Sequence, residues 1–455
     1  MQKVATTYPE HSRAIWKLGI PLILSNMAQF AIHMTDTLML GWYDVTALAA
    51  ATIATSMFFV VFILGAGFAQ AITPLVAAAN EQNDQVQVRR VTRMGLWLSI
   101  FYGALVMLPF FWSEPILIAI GQDPVVAAEA HLYLRIAILG MVPMLLIMAL
   151  KSFLVALEHT AFILWATVGT AVLNGLVNYA LIFGNLGAPE LGIEGAAIAS
   201  VFVNLLTVAL LVGYIGRKLP QYELFRNFHR PDAEIMRRVF VLGWPIGLTS
   251  LAEGGLFSAS AIMMGWIGPV PLAAHGIAIQ LASLTFMVHI GFSQAATVRA
   301  GRALGRRDEQ GLRRGGITAI AMSALYAAAT SAVFLIIPGT LVSLFIDPAE
   351  PERLRLLQVG ITLVMIAGLF QLVDGLQVVV LGLLRGVQDT TVPMIMATFS
   401  YWVIGLPTSY LLAFYWGFGG VGIWLGLVLG LMVAATLLMW RFWARSVHIT
   451  PPLAI

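Results

Sequence analysis

The sequence predicts an all-α polytopic membrane protein, with twelve transmembrane helices in two pseudo-twofold-related six-helix bundles. Three observations predict it. Hydrophobic residues make up 60% of the 455 positions and charged residues only 10%, against about 25% charged in a typical soluble domain. Those few charges cluster between long uncharged runs. The second half of the chain repeats the first.

A bilayer core needs about twenty apolar residues per helix. Runs such as Leu18–Thr35, Val45–Asn80, Met94–Ser113 and Gly195–Gly216 meet that length. Thr390–Trp440 is too long for one crossing, and Gly417-Phe418-Gly419-Gly420 divides it into two. Breaking the other long runs at their Gly and Pro clusters gives twelve helices. They centre near residues 28, 62, 103, 143, 172, 205, 252, 285, 326, 370, 403 and 432.

Twelve crossings put both termini on one side. With that side cytoplasmic, inside segments carry 22 of the 25 Lys and Arg residues, all but Arg135, Arg353 and Arg355. Outside loops carry Glu114, Asp123, Glu190, Asp347 and Glu350. This is the positive-inside pattern of an inner (plasma) membrane protein with cytoplasmic termini. Met1–Arg13 has no apolar core or small-residue cleavage site, so no cleavable signal peptide is expected and the first apolar run is the insertion signal.

The repeat orders the chain. Leu18-Gly19-Ile20-Pro21 recurs 224 residues on as Leu242-Gly243-Trp244-Pro245. At the same offset Met39-Leu40-Gly41-Trp42 matches Met263-Met264-Gly265-Trp266, and Gly67-Phe68-Ala69-Gln70-Ala71 matches Gly291-Phe292-Ser293-Gln294-Ala295. Asp84 falls on Asp308, Arg89-Arg90 on Arg313-Arg314, and Asp123-Pro124 on Asp347-Pro348. Apolar similarity alone does not align charges, glycines and prolines together. Two six-helix lobes, 1–216 and 237–455, are therefore expected around a linker at 217–236. Six crossings per half give both halves one orientation and an axis along the membrane normal. The linker stretch is basic, with Arg217, Lys218, Arg226, Arg230, Arg237 and Arg238. It reads as a cytoplasmic tether at anionic headgroups.

Some chemistries are excluded. The chain has no cysteine, which removes disulfides, thiolate chemistry and Cys-ligated metals. It contains no Gly-Lys pair, hence no P-loop, and no H-E-x-x-H. No nucleophile or metal constellation suggests an enzyme, and the modest net charge of +3 gives no reason to expect nucleic acid. Energy for any pumping must come from an ion gradient.

An ionisable side chain at mid-span costs on the order of 3 kcal/mol and marks function. Three acids lie deep: Asp36 towards the outer end of helix 1, Glu253 in helix 7 and Asp374 in helix 10. No Lys or Arg is expected at comparable depth, so a mobile cation, a proton or a cationic substrate is the natural partner. The alternative is an acid kept protonated for packing. The repeat equivalents of Glu253 and Asp36 are Gln29 and Ser260, so the halves share a scaffold but not their acids. Asn174 and Asn178, four apart on helix 5, face one way and read either as an oxygen-rich cluster with Asp36 or as interhelical hydrogen bonding. His33, one turn from Asp36, reads as a packing histidine. Gly422, Gly426 and Gly430 form a small-residue stripe for close helix packing.

These residues resemble the multidrug and toxic compound extrusion (MATE) transporters, and among them the NorM-type bacterial branch, over essentially the whole chain. The resemblance rests on the L-G-x-P openings at Leu18 and Leu242 and the Met-x-Gly-Trp exits at Gly41 and Gly265. It rests also on Gly301-Arg302-Ala303-Leu304-Gly305-Arg306-Arg307-Asp308, similar to that family's G-x-x-L-G-x-x-[ND] loop, and on Leu384-Arg385-Gly386-Val387-Gln388-Asp389-Thr390. The first-half counterpart, Ala77 to Asp84, departs from the pattern in having no glycine. The resemblance implies a monomeric secondary transporter that exports amphipathic, mostly cationic drugs or dyes in exchange for Na+ or H+, with no other cofactor. It implies that Glu253 and Asp374 bind the coupling cation in the C-terminal lobe, Na+ if the ion is a metal, and that Asp36 serves the N-terminal lobe with Asn174 and Asn178. A flippase for a lipid-linked cell-envelope precursor is the alternative, although a phosphate-bearing cargo calls for basic rather than acidic residues at depth.

Overall fold

The computed structural model describes residues 7–348 and 351–449. Glu350, counted above among the outer-loop acids, lies outside the described residues, as do residues 1–6 and the last six. The described residues are helical, with no strand. Twelve helices are long and apolar enough to cross a membrane. In chain order they are α1 (Tyr8–Tyr43), α2 (Thr46–Glu81), α3 (Gln85–Phe110), α4 (Pro124–Ala156), α5 (Thr160–Phe183) and α6 (Gly192–Lys218). The second six are α7 (Ala233–Ile267), α8 (Pro269–Arg306), α9 (Glu309–Ile336), α10 (Arg353–Gly386), α11 (Thr391–Tyr415) and α12 (Gly419–Ser446). Each centre expected from the sequence falls inside one of them. Large apolar side chains cover the outer surface, among them Phe101, Trp165, Leu325 and Ile336. That is the inverse of a soluble protein's surface and matches a lipid solvent.

Local chemistry sets the helix ends, and the two halves use the same devices. After α2, Asn83 takes a left-handed conformation (φ 58°). The Asp84 N–H bonds back to Ala79 O at 3.0 Å, and its carboxylate then accepts the Gln87 N–H at 2.9 Å to cap α3. After α8, Arg307 (φ 59°) and Asp308 do the same, with Asp308 N to Ala303 O at 2.9 Å and Gly311 N to Asp308 Oδ1 at 2.7 Å. A Schellman stop and an Asp cap are thus fused in one turn. The G-x-x-L-G-x-x-D stretch read as a loop is therefore mostly the last turns of α8, and only Arg307 and Asp308 turn. A second shared turn follows α4 and α10. Glu158 (φ 64°) and Gln388 (φ 62°) are left-handed, and His159 N to Leu154 O and Asp389 N to Leu384 O both span 2.9 Å. Here the repeat offset has grown to 230, which hid the match in an ungapped comparison. Gly417 (φ 75°) and Gly419 (φ 55°) make the break between α11 and α12, where most residues with a Cβ would be strained.

Packing divides the chain into two compact units, Leu24–Gly247 and Met1–Ile23 with Leu248–Ile455. The division runs through α1 and α7, not between α6 and α7. Within Leu24–Gly247, Gly67 of α2 lies against the backbone of α7, where an added Cβ would sit 2.7 Å from Gly247 Cα. Within the other unit, Gly291 of α8 lies against α1, where an added Cβ would sit 3.2 Å from Ile23 Cα. The start of α1 also packs there, with Trp16 edge-on to Phe292 at 5.3 Å. The two repeated motifs therefore pack on each other crosswise: each half's Gly-Phe segment receives the opening Leu-Gly-x-Pro helix of the other half. In the second unit, Gly422, Gly426 and Gly430 of α12 face α11 so closely that a Cβ on Gly430 would lie 2.7 Å from Gly405 Cα. That is the close packing the stripe implied.

The linker is folded rather than loose. Arg89 pairs with Glu223 at 2.7 Å and Arg90 with Asp232 at 2.6 Å. Arg93 donates to the carbonyls of Arg226 (2.9 Å) and Asn227 (2.8 Å), and Trp97 donates to Phe228 O at 2.8 Å. The expectation of a tether at lipid headgroups overlooked α3, whose basic row is complemented by the linker's acids and carbonyls. The Arg90 hydrogen bond holds the Asp232 carboxyl below the usual carboxylate range.

Candidate functional site

The polar groups that sequence singled out sit on continuous apolar helices, so each backbone is satisfied within its helix and only the side chains need partners. In the unit Leu24–Gly247, α1 and α5 bring three of them together. Asn174 and Asn178 lie one turn apart on α5, and both donate a side-chain N–H to Asp36 Oδ1, at 2.6 and 2.5 Å. Both amides are buried, and Asn178 Oδ1 has no partner. This cluster thus offers carboxylate and amide oxygens. No hydrogen bond joins His33 to this group among those described; its backbone carbonyl accepts the Thr37 hydroxyl at 2.9 Å.

In the other unit, Asp374 of α10 lies in the field of Glu253 of α7, and the Tyr401 hydroxyl of α11 lies in the field of both. Asp374 is 5% exposed. Glu253 Oε1 and Asp374 Oδ1 are buried and unpartnered. A buried polar atom without a partner costs about 1–3 kcal/mol, and more when it is charged. Two such carboxylates in each other's vicinity suit a small cation or a shared proton, since like charges in a low dielectric do not both persist bare.

Sequence reasoning missed several members of this neighbourhood. Arg385, expected in a loop, closes the last turn of α10, and its charge reaches Glu253. In the unit Leu24–Gly247, Lys151 near the end of α4 is half-buried and donates to Thr167 Oγ1 at 3.0 Å. Both basic residues lie near the ends of helices that continue further than the apolar runs suggested, not at mid-span. Gln371 and Gln377, three residues either side of Asp374, are fully buried. Gln371 donates to Thr285 and Gln377 to Tyr401. Their signal was visible as Gln-x-x-Asp-x-x-Gln in an apolar span; attention to ionisable groups alone passed over it.

A family model described as MatE matches residues 21–180 and 245–411. The chain belongs to this family. It is 48% identical over 438 residues, covering 96% of this chain and 94% of the relative, to a protein named "Probable multidrug resistance protein NorM" from Rhizobium meliloti. A protein of the same name from Agrobacterium fabrum is 45% identical, with 95% and 93% covered. The fold matches that of the eukaryotic MATE transporter AtDTX14, with a TM-score of 0.84, 21% identity, and 97% and 99% of the two chains covered. It also matches a multidrug resistance MATE family transporter of the MOP superfamily in an outward-facing conformation, with a TM-score of 0.87, 20% identity, and 97% and 98% covered. The MatE match covers α10 through Asp374 and α7 from Pro245, so both acidic sites lie on matched helices.

Proposed function

We propose that this MatE-family protein is a secondary multidrug efflux transporter that exports amphipathic, mostly cationic compounds in exchange for Na+ or H+. It is a multi-pass membrane transporter, not an enzyme. The observation that carries the coupling reading is the pair Glu253–Asp374: two carboxylates, buried together on apolar helices, each with an unpartnered oxygen. Asp36 with Asn174 and Asn178 supplies a second polar site in the other unit. We place the protein in the bacterial inner membrane with both termini cytoplasmic, on the distribution of its basic residues, and read it as a monomer. The six-helix lobes 1–216 and 237–455 are the repeated units of this reading, joined by 217–236.

The work is done by differential affinity. In the outward-facing state the acids take the incoming cation, which neutralises them and weakens the hold on a cationic drug. In the inward-facing state the cation leaves and the bare carboxylates favour the drug. An ion that bound both states equally would shift nothing, so coupling requires that the acid pairs exist in full in only one of them. The test is reconstitution in liposomes under imposed Na+ and H+ gradients, following release of a fluorescent cationic dye. Dye movement driven by either gradient is expected; dye movement indifferent to both would defeat the reading.

A further inference from the structure

We propose that the junction of α1, α8 and α9 holds one small inorganic anion, of chloride size, bound by His11 together with Arg299 and Arg306. This site is separate from the buried acids and does not depend on which ion drives transport. His11 stands near the start of α1, inside the compact unit formed by Met1–Ile23 and Leu248–Ile455. It is 2% exposed, and both its ring nitrogens are buried with no hydrogen-bond partner among the described residues. A buried imidazole with neither nitrogen satisfied calls for a bound species. A small cavity supplies the place: His11, Arg299, Arg306, Gly311 and Gly315 are among the residues that line it. Its volume of about 10 Å3 admits one species the size of a water molecule. A phosphate group or a lipid headgroup does not fit.

Charge decides between a water and an anion. Residues 299–314 carry six arginines and two acids. The charges of Arg299, Arg306 and Arg314 all reach His11, with Asp308 opposing them. Guanidinium and imidazole N–H groups are donors, and a paired anion stabilises buried positive charge as a neutral water does not. The first half of the chain provides an internal comparison. At the offset of 224, residues 75–90 carry two arginines and two acids. Leu75, Gln82 and Val91 stand where Arg299, Arg306 and Gly315 do, and Ile235 where His11 does. Leu75, Val91 and Ile235 are all buried, so the same turn closes around apolar side chains. The fold therefore does not require a polar cavity here. In the second half the bare backbone of Gly315 keeps the space open, since an added Cβ would already stand 3.4 Å from His11 Nδ1.

The test is a chloride titration of the melting temperature of the purified full-length protein in detergent. Chloride replaces gluconate, which is too large for the cavity, at constant pH and ionic strength. Wild type should gain roughly 2–4 °C and then saturate, as with any ligand that binds only the folded state. His11→Phe keeps a ring of similar size without nitrogens, and Gly315→Val fills the cavity with the side chain that the first half carries. Whichever of the two melts near wild type in gluconate should show no saturable rise with chloride. A rise equal to wild type's in such a variant would mean a general salt effect and overturn the inference. No rise in wild type would leave a water beside His11 and overturn it too. Crystals of the wild-type chain grown with bromide answer without a variant, should neither fold. An anomalous peak within hydrogen-bond distance of His11 is expected, and an ordered water without one overturns the site. A peak with no response in solution would be binding at crystal concentration only, which also overturns it.

Discussion

Asn178 donates its side-chain N–H to Asp36 Oδ1 at 2.5 Å across 142 positions of sequence, tying α5 to α1 inside one compact unit. Asn174 repeats the contact from one turn away. An Asp36→Asn side chain could turn its oxygen to at most one geometry and would bring an NH2 group into a pair of NH2 donors. The loss of charge-assisted hydrogen bonding is worth about 1.5–3 kcal/mol, or roughly tenfold or more in an equilibrium. Asp36→Asn is expected to cut dye export by about that factor in cells expressing it at the wild-type level. Export equal to wild type would reduce the cluster to packing.

Gly67 and Gly19 both lie at crosswise contacts between the repeated motifs but differ in clearance. A Cβ on Gly67 would press on backbone atoms of Gly243 and Gly247, which have no rotamer to yield; one on Gly19 would lie 3.6 Å from the Phe292 ring, an ordinary contact. Gly67→Ala is expected to destabilise by about 1–3 kcal/mol, whereas Gly19→Ala is expected to be neutral or slightly stabilising through helix propensity. Thermal unfolding of the two purified variants, followed by size-exclusion fluorescence, checks the contrast. Equal melting temperatures would show that α7 yields at this contact.

The linker's docking should resist changes near neutral pH. Asp232 has its pKa lowered, chiefly by the Arg90 hydrogen bond. A depressed carboxyl contributes stability that is fully present above its ordinary value and lost as pH falls through the depressed one. Proteolytic cleavage within 219–232 is therefore expected to be constant between pH 6 and 8 and to rise only in acid. Asp232→Asn should raise it at every pH in that window. A wild-type linker cut more readily at pH 6 than at pH 8 would show that another group controls the docking.

Much of this was legible in the sequence because membrane spans advertise themselves. The twelve spans and the repeat followed from charge-free length and from charges and glycines aligning at one offset. Glu253, Asp374, Asp36, Asn174 and Asn178 stood out because polar side chains are costly in apolar helices. What stayed hidden was of two kinds. Contacts such as Gly67 on Gly247 pair motifs 180 residues apart, and nothing in a span's composition says which helix it meets. Gln371 and Gln377 carry no charge, so a search by ionisation passed them, and their burial shows only in the packing. The linker's docking was hidden for a related reason. Its basic residues were conspicuous, but the partners of Arg89, Arg90, Arg93 and Trp97 include two acids and three backbone carbonyls, and a carbonyl leaves no trace in composition.

Orientation can be read by labelling. Inside segments hold all but three of the Lys and Arg residues in the cytoplasmic-termini arrangement. Single cysteines at Asn227 and Asp123, in a chain with no native cysteine, are expected to react with an impermeant reagent from opposite sides of the membrane. Labelling of both from one side would defeat the twelve-span topology.

Glu253 and Asp374 bear the sharpest expectation. Their helices, α7 and α10, are the first and fourth of the second half, and the two carboxylates share a buried region with Tyr401. Glu253→Gln or Asp374→Asn removes one negative charge while leaving a side chain of the same shape. Burying a neutral amide costs less than burying a charge, so folded protein should be recovered in wild-type yield. Without both carboxylates no ion is held more tightly in one state than in the other, and the gradient loses its purchase on the conformational equilibrium. Gradient-driven dye movement is expected to fall to the level of protein-free liposomes in either mutant. Equilibrium dye binding should change by less than about tenfold, because apolar contact supplies most of it. Both quantities are measured on the same purified protein. Loss of transport together with binding would mean that the acids hold the drug rather than the ion, and retention of transport in both mutants would remove the pair from the coupling mechanism.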